Sequence, residues 1–337
     1  MASRTIRTYT FPVLLLLMCI IFSLSSDTFL TDRNVVTILR QVAPVGIIAV
    51  GATFVIITAG IDQSVGSIAA FVGVLCANWL RGGEIGVWPT VLAMLFIGAL
   101  LGTVNGLLVS KISIPDFIVT LATMGIYRGF VYIAAHKDEG TGLIQNIIIE
   151  NKDFVWLGNA KVGPFHAPVY VFILVAIFFY LILSRTNFGV NVYAVGGNLT
   201  AARMSGVNVD RIKTLVYAIC GLCAALAGVM MSARSRTGTT LAGAGMELDV
   251  IAAVIVGGTS LSGGRGGIWG TVLGAVFIGV LNNGMSLAGI SAYVQPIAKG
   301  AVIILAVMLD SWAQRMGQQP VVRRKRPPAG QTETKAV

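Results

Sequence analysis

Charge is what this sequence has least of. Lysine, arginine, aspartate and glutamate make up 11% of the 337 residues, against about 25% in an ordinary soluble domain. With 55% of the side chains hydrophobic, too few polar groups remain to cover a soluble surface, which excludes a soluble enzyme. A mean hydropathy of +0.83 excludes a disordered chain. Four cysteines, Cys19, Cys76, Cys220 and Cys223, all in apolar runs, exclude a disulfide-rich secreted domain. Cys220-x2-Cys223 has redox-motif spacing, but it stands among small residues in an apolar helix and reads as close packing. The two histidines, His136 and His166, fall in one polar stretch, so no histidine metal site lies within an apolar run. Only 14 acids are present, too few at mid-span for the carboxylate chains of proton-coupled pumps.

What is abundant is apolar sequence in runs long enough to cross a bilayer. Ten spans are predicted, over about 11–26, 41–60, 62–80, 87–109, 115–135, 167–184, 213–233, 247–262, 268–288 and 293–311. The fold class is therefore all-α, a polytopic integral membrane protein. The first span follows Arg4 and Arg7 and has the look of a signal peptide, but nine spans come after it, so an uncleaved signal-anchor is expected. The span at 62–80 opens on a charged residue and the one at 247–262 is short, so both are candidates for broken or re-entrant segments. With the N-terminus in the cytoplasm, 14 basic residues fall inside and 8 outside, and this bias predicts both termini cytoplasmic. Residues 137–166 become the largest external loop. Residues 1–314 form the membrane domain, and residues 315–337, which include the run RRKRPPAGQTETKAV, read as a disordered basic cytoplasmic tail resting on anionic lipid.

Glycine is the second abundance, with 40 residues. Gly98, Gly102 and Gly106 form two successive GxxxG steps, and Gly125-x3-Gly129 and Gly270-x3-Gly274 add others. Small residues let helix backbones approach closely in lipid, so these predict helix packing. The run GGTSLSGGRGG (257–267) has phosphate-loop spacing, but Gly264 stands where the lysine must be. It reads as a tight turn between spans, and energy must come from a gradient or a partner.

Charges within spans are functional candidates. Asp62 has two readings, a helix N-cap or a gating or substrate contact. Glu247 and Asp249 open the eighth span, Arg128 interrupts the fifth, and Lys299 in the tenth is expected to pair with one of those two acids. The other polar residues are uncharged, among them Gln63, Ser64, Ser67, Asn105, Asn282 and Asn283. Such amides and hydroxyls suit a neutral, hydroxylated solute, or else serve as interhelical hydrogen bonds. In the inside loop 185–212, Gly196-Gly197 makes a break, Asn198 is a good N-cap, Leu199 to Ser205 allow two helical turns, and Gly206 supplies the stop. A helix this short must dock on something, so the loop reads as a docking element or a connector.

Three blocks, GIDQSVGS (60–67), AVGGNLTAARMSGVNV (194–209) and ELDVIAAVIVGGTSLSGGRGGIWGT (247–271), resemble the signature blocks of the ribose-type sugar permeases, the membrane subunits of bacterial ABC importers. They occur in the family's order, and Gln63 departs from the leucine usual there. The resemblance implies a permease in the bacterial inner membrane that is not itself an enzyme, needs no cofactor, and translocates a monosaccharide. It implies three partners: a cytoplasmic ABC ATPase subunit, a periplasmic sugar-binding protein, and a second permease copy or paralogue. It places ATPase coupling on Asn198, Ala201, Ala202, Arg203 and Gly206, and Asp62, Ser64 and Ser67 near the translocation pathway. An amino-acid importer of the same superfamily and a gradient-driven transporter are the alternatives.

Overall fold

The computed structural model describes residues 15–81, 83, 85–137 and 144–317, with side chains described as far as Met308. The expectations for Arg4, Arg7 and the basic tail beyond Gly317 lie outside those residues. The helices in chain order are α1 (Leu15–Ser25), α2 (Asp32–Ile57), α3 (Val65–Arg81), α4 (Val87–Ser110), α5 (Asp116–Ala134), α6 (Lys152–Asn159) and α7 (Ala167–Arg185), followed by α8 (Asn187–Gly197), α9 (Leu199–Met204), α10 (Val209–Ser235), α11 (Met246–Val256), α12 (Ile268–Leu287) and α13 (Gln295–Gly317). The architecture is all-α apart from three two-residue antiparallel pairings. These join β1 (His136–Lys137) to β2 (Ile144–Gln145), β3 (Ile147–Ile148) to β6 (Thr237–Gly238), and β4 (Lys161–Val162) to β5 (Phe165–His166).

Among the described residues, six helices, α2, α4, α5, α7, α10 and α12, are long and apolar enough to cross a membrane. The count of ten is not reached by that measure, because α1, α3 and the apolar stretch Gln295–Met308 of α13 are shorter and α11 has only 11 residues. The starts follow from local chemistry. Thr31 accepts from the Asn34 amide ahead of α2, and Asn208 accepts from the Arg211 amide ahead of α10, each satisfying a first-turn donor. The predicted external loop is more ordered than its composition suggested. It contains α6, capped by Asn151, and the β3–β6 pairing ties it to the segment after α10.

Helix α10 is the hub and packs on α2, α3, α4 and α6. Glycine makes this possible. At Gly102 a Cβ would overlap the Tyr217 carbonyl, and at Gly98 it would overlap the Ala225 side chain, so the 98–102–106 stripe seats α4 directly on α10. Gly270 and Gly274 likewise bring α12 against the carbonyls of Gly257 and Ala253. Gly125 and Gly129 differ from this expectation: nothing lies within 4 Å of a Cβ at either, so their step meets no neighbour among the described residues. Bulky residues such as Leu92, Phe96, Leu174 and Phe178 point outward, as lipid-facing side chains do.

Lys299 pairs with Asp249 and not with Glu247: its Nζ lies 2.8 Å from Asp249 Oδ1 and 3.0 Å from Oδ2, with both side chains largely buried. Asn282 adds a 3.2 Å bond to Oδ2, so one carboxylate clamps α11, α12 and α13. Glu247 sits against Gly66 at the start of α3 instead.

Two outcomes follow from this packing. Gly102→Val costs about 1–3 kcal/mol through overpacking and lowers the melting temperature of the detergent-purified protein, whereas Gly125→Ala leaves it unchanged. Lys299→Met strands a buried carboxylate and destabilises by up to about 3 kcal/mol. Adding Asp249→Asn restores most of that loss in the same thermal measurement, and a double mutant no better than the single would show that the pair does not hold the three helices.

Candidate functional site

The chain between α2 and α3 leaves the helix at Thr58 and re-enters it at Val65. It does so beside Cys220 and Tyr217, near the middle of the 27-residue α10. Peptide groups freed there have no water to bind and must find protein partners. The Ile61 N–H donates to Asp116 Oδ2 at 2.7 Å, and the Ile61 carbonyl accepts from Thr120 Oγ1 at 3.1 Å and Tyr217 OH at 3.3 Å. Asp62 Oδ1 accepts from the Ser64 amide at 2.9 Å and from Ser64 Oγ at 2.7 Å. Asn105 Nδ2 donates to Ser64 Oγ at 2.8 Å, and Tyr127 OH donates to Asn105 Oδ1 at 3.0 Å.

Asp62 is 3% exposed and Ser64 and Asn105 are fully buried. Asp62 is thus not the N-cap of α3: it lies three residues before Val65 and shapes the approach through an Asx-type turn. Hydroxyls, an amide and the Cys220 thiol surround it, and no cation faces it among the described residues. Ser67 is buried in the first turn of α3, its hydroxyl without a partner among the described residues. Gln63 is half-buried and makes no hydrogen bond among the described residues.

The remaining expected pathway residues stand elsewhere. Asn283 forms a reciprocal amide pair with Asn34, at 2.9 and 3.0 Å, and Asn282 serves the Asp249 clamp. Arg128 donates to the carbonyls of Thr240 and Ala242, both at 3.0 Å. These groups are bonded apart from the Asp62 cluster. Asp116, Tyr127, Tyr217 and Cys220 belong to the buried cluster and escaped the sequence reading. Asp116, an acid directly after Pro115 at a helix start, was the one with a local signal.

The second element is the short helix α9. Asn198 Oδ1 accepts from the Ala201 amide at 2.9 Å, and Gly206 ends the helix at φ +84°, a conformation glycine adopts freely. Ala202 is buried and anchors the turn. Ala201, Arg203 and Met204 face outward, and Arg203 reaches Asp210 at 3.1 Å. The six-residue helix is thus exposed and held by its caps and one buried alanine.

The sequence profile of one family, described as branched-chain amino acid transport system / permease component, matches residues 34–308. The chain belongs to this permease family. The permease is 42% identical over 303 residues to the ribose import permease protein of Escherichia coli (strain K12), covering 90% of this chain and 93% of that one. It is 43% identical over 296 residues to the ribose import permease protein of Bacillus subtilis (strain 168), covering 88% and 90% of the two chains. It is 35% identical to the xylose transport system permease protein of Escherichia coli (strain K12), covering 93% and 94%. No solved structure matches the permease.

The buried cluster makes a testable claim about the permease. Asp62→Asn keeps an acceptor for Ser64 and leaves the melting temperature near that of the parent. Asp62→Leu strands the Ser64 donors at about 1–3 kcal/mol and lowers it by several degrees. Equal stability of the two variants would show that Asp62 does not organise the break.

Proposed function

We propose that this chain is the membrane subunit of a bacterial importer that moves a monosaccharide of the ribose class inward across the inner membrane, driven by a separate ATP-hydrolysing subunit. The observation that carries this reading is similarity to ribose, allose and xylose permeases over about nine-tenths of both chains. The family's description names branched-chain amino acids, but the site favours a neutral solute. Asp62 is an acceptor bonded to Ser64, and Arg128, the mid-span cation that a substrate carboxylate would need, is spent on two backbone carbonyls.

In this reading residues 1–314 are the permease domain with ten spans, α3 and α11 being the discontinuous ones. Both termini are cytoplasmic. The segment 185–212 docks on the ATPase through α9, and a periplasmic sugar-binding protein delivers solute at the opposite end. The translocation path runs between two permease copies, or a copy and a paralogue. This accounts for polar residues that are bonded in separate groups within one chain. ATP-driven closure shifts packed helices between two arrangements.

Co-reconstitution in liposomes with the neighbouring ATPase and binding protein tests the reading: labelled D-ribose, D-allose or D-xylose accumulates only with ATP and all three components. Accumulation by this chain alone under a proton or sodium gradient would overturn it. In the same preparation Arg203→Glu and Gly206→Val abolish sugar-stimulated ATP hydrolysis without loss of membrane insertion. Gly206→Val acts by forcing a β-branched residue to positive φ. Persistent stimulation in both would reduce 185–212 to a connector.

A further inference from the structure

We propose that the docking helix drives the mid-membrane break through one backbone junction, formed where α8 meets the 257–267 turn and the end of α2, with Tyr193 and Gly196 as its positioning residues. This rests on the functional reading above and adds the route by which movement of α9 reaches the buried cluster.

Three chain segments meet there, two of the contacts backbone to backbone and the third through the Tyr193 hydroxyl. The Gly264 N–H donates to the Ile57 carbonyl at 2.8 Å, and Tyr193 OH donates to the Gly266 carbonyl at 2.8 Å. A Cβ at Gly196 would overlap the Ile57 carbonyl and crowd the Gly264 nitrogen. The turn is braced internally, with Ser260 N–H to the Arg265 carbonyl at 3.1 Å and Gly263 N–H to the Ser260 carbonyl at 3.0 Å. Gly263 and Gly264 hold φ of +79° and +69°, where other residues are strained. Side-chain contacts yield to a displacement by changing rotamer. Backbone pressed on backbone has no such freedom, so the three segments move together.

Each segment leads to a part of the permease that matters. Gly196 lies two residues before Asn198, the cap of α9. Ile57 is the last residue of α2, and the break that follows holds Asp62 and Ser64. The 257–267 turn joins α11 to α12, which are themselves packed glycine to backbone. The other exit from α9, toward α10, passes through Gly206 and the exposed Arg203–Asp210 pair, and exposed pairs are worth little. The stiff route therefore runs through the junction, and both discontinuous helices, α3 and α11, hang from it.

The test uses the reconstituted complex and reads sugar transported per ATP hydrolysed, with D-ribose, D-allose and D-xylose as probes. A folding defect lowers transport and hydrolysis together and leaves that ratio unchanged, so the ratio isolates coupling. Tyr193→Phe and Gly196→Ala lower it by about tenfold, within the span of coupling energies between distant sites, while the ATPase still co-purifies. Gly197→Ala, where nothing lies within 4 Å of the added Cβ, leaves it at the parent value. A parent-like ratio in both Tyr193→Phe and Gly196→Ala would overturn the junction. If Gly196→Ala does not insert, Tyr193→Phe alone decides. A parent complex that moves none of the three sugars would instead overturn the functional reading, and the junction with it.

Discussion

A peptide group without a hydrogen-bond partner in an apolar surround costs several kcal/mol, and this permease interrupts a helix among largely buried side chains. The chain leaves α2 at Thr58 and resumes helix at Val65, and most of the bonded polar side chains nearby answer to that interruption. Asp116, Thr120 and Tyr217 take the two polar groups of Ile61. Asp62, Ser64, Asn105 and Tyr127 form a chain of bonds that sets the first turn of α3. Four helices, α3, α4, α5 and α10, are thus fixed relative to one another by the need to satisfy a few backbone atoms.

The close approach that lets those side chains meet comes from glycine. In water, helices associate by hiding apolar surface, but lipid offers no such reward, and packing must come from contact distance. Gly98 and Gly102 bring α4 onto α10, Gly228 brings α10 onto α3, and Gly274 brings α12 onto α11. The same device at Gly196 and Gly264 joins α8 and the 257–267 turn to the end of α2. Backbone contact is short and stiff, so a structure assembled this way transmits displacement well and tolerates substitution poorly.

Much of the short helix α9 was legible in the sequence, because its determinants are local. An N-cap asparagine, two turns of side chains and a terminating glycine act within a few residues of each other, and α9 runs as Asn198 and Gly206 predict. The buried cluster was half legible. Asp62, Ser64 and Asn105 stand out as polar residues in apolar runs, but Tyr127, which bonds Asn105, and Tyr217, which bonds the Ile61 carbonyl, look like ordinary aromatic core. Nothing in the order of residues says that Asn105 meets Ser64 while Asn283 meets Asn34. Lys299 was recognisable as needing an acid, and the choice of Asp249 over Glu247 depended on which face of α11 turns toward α13.

Composition and periodicity alone determined that this is an all-helical membrane protein with broken segments and an exposed helical element between α7 and α10. Those properties follow from hydropathy and local capping, which read a few residues at a time. Only the tertiary structure decided which glycines are contact points, since Gly102 and Gly125 sit in identical spacings and only the former meets a neighbour. It also decided that the polar residues divide into a mid-membrane cluster, an Asn34–Asn283 pair and the Asp249 clamp. Each depends on how helices far apart in the chain are rotated and stacked, and that rotation is set by the sum of all their contacts.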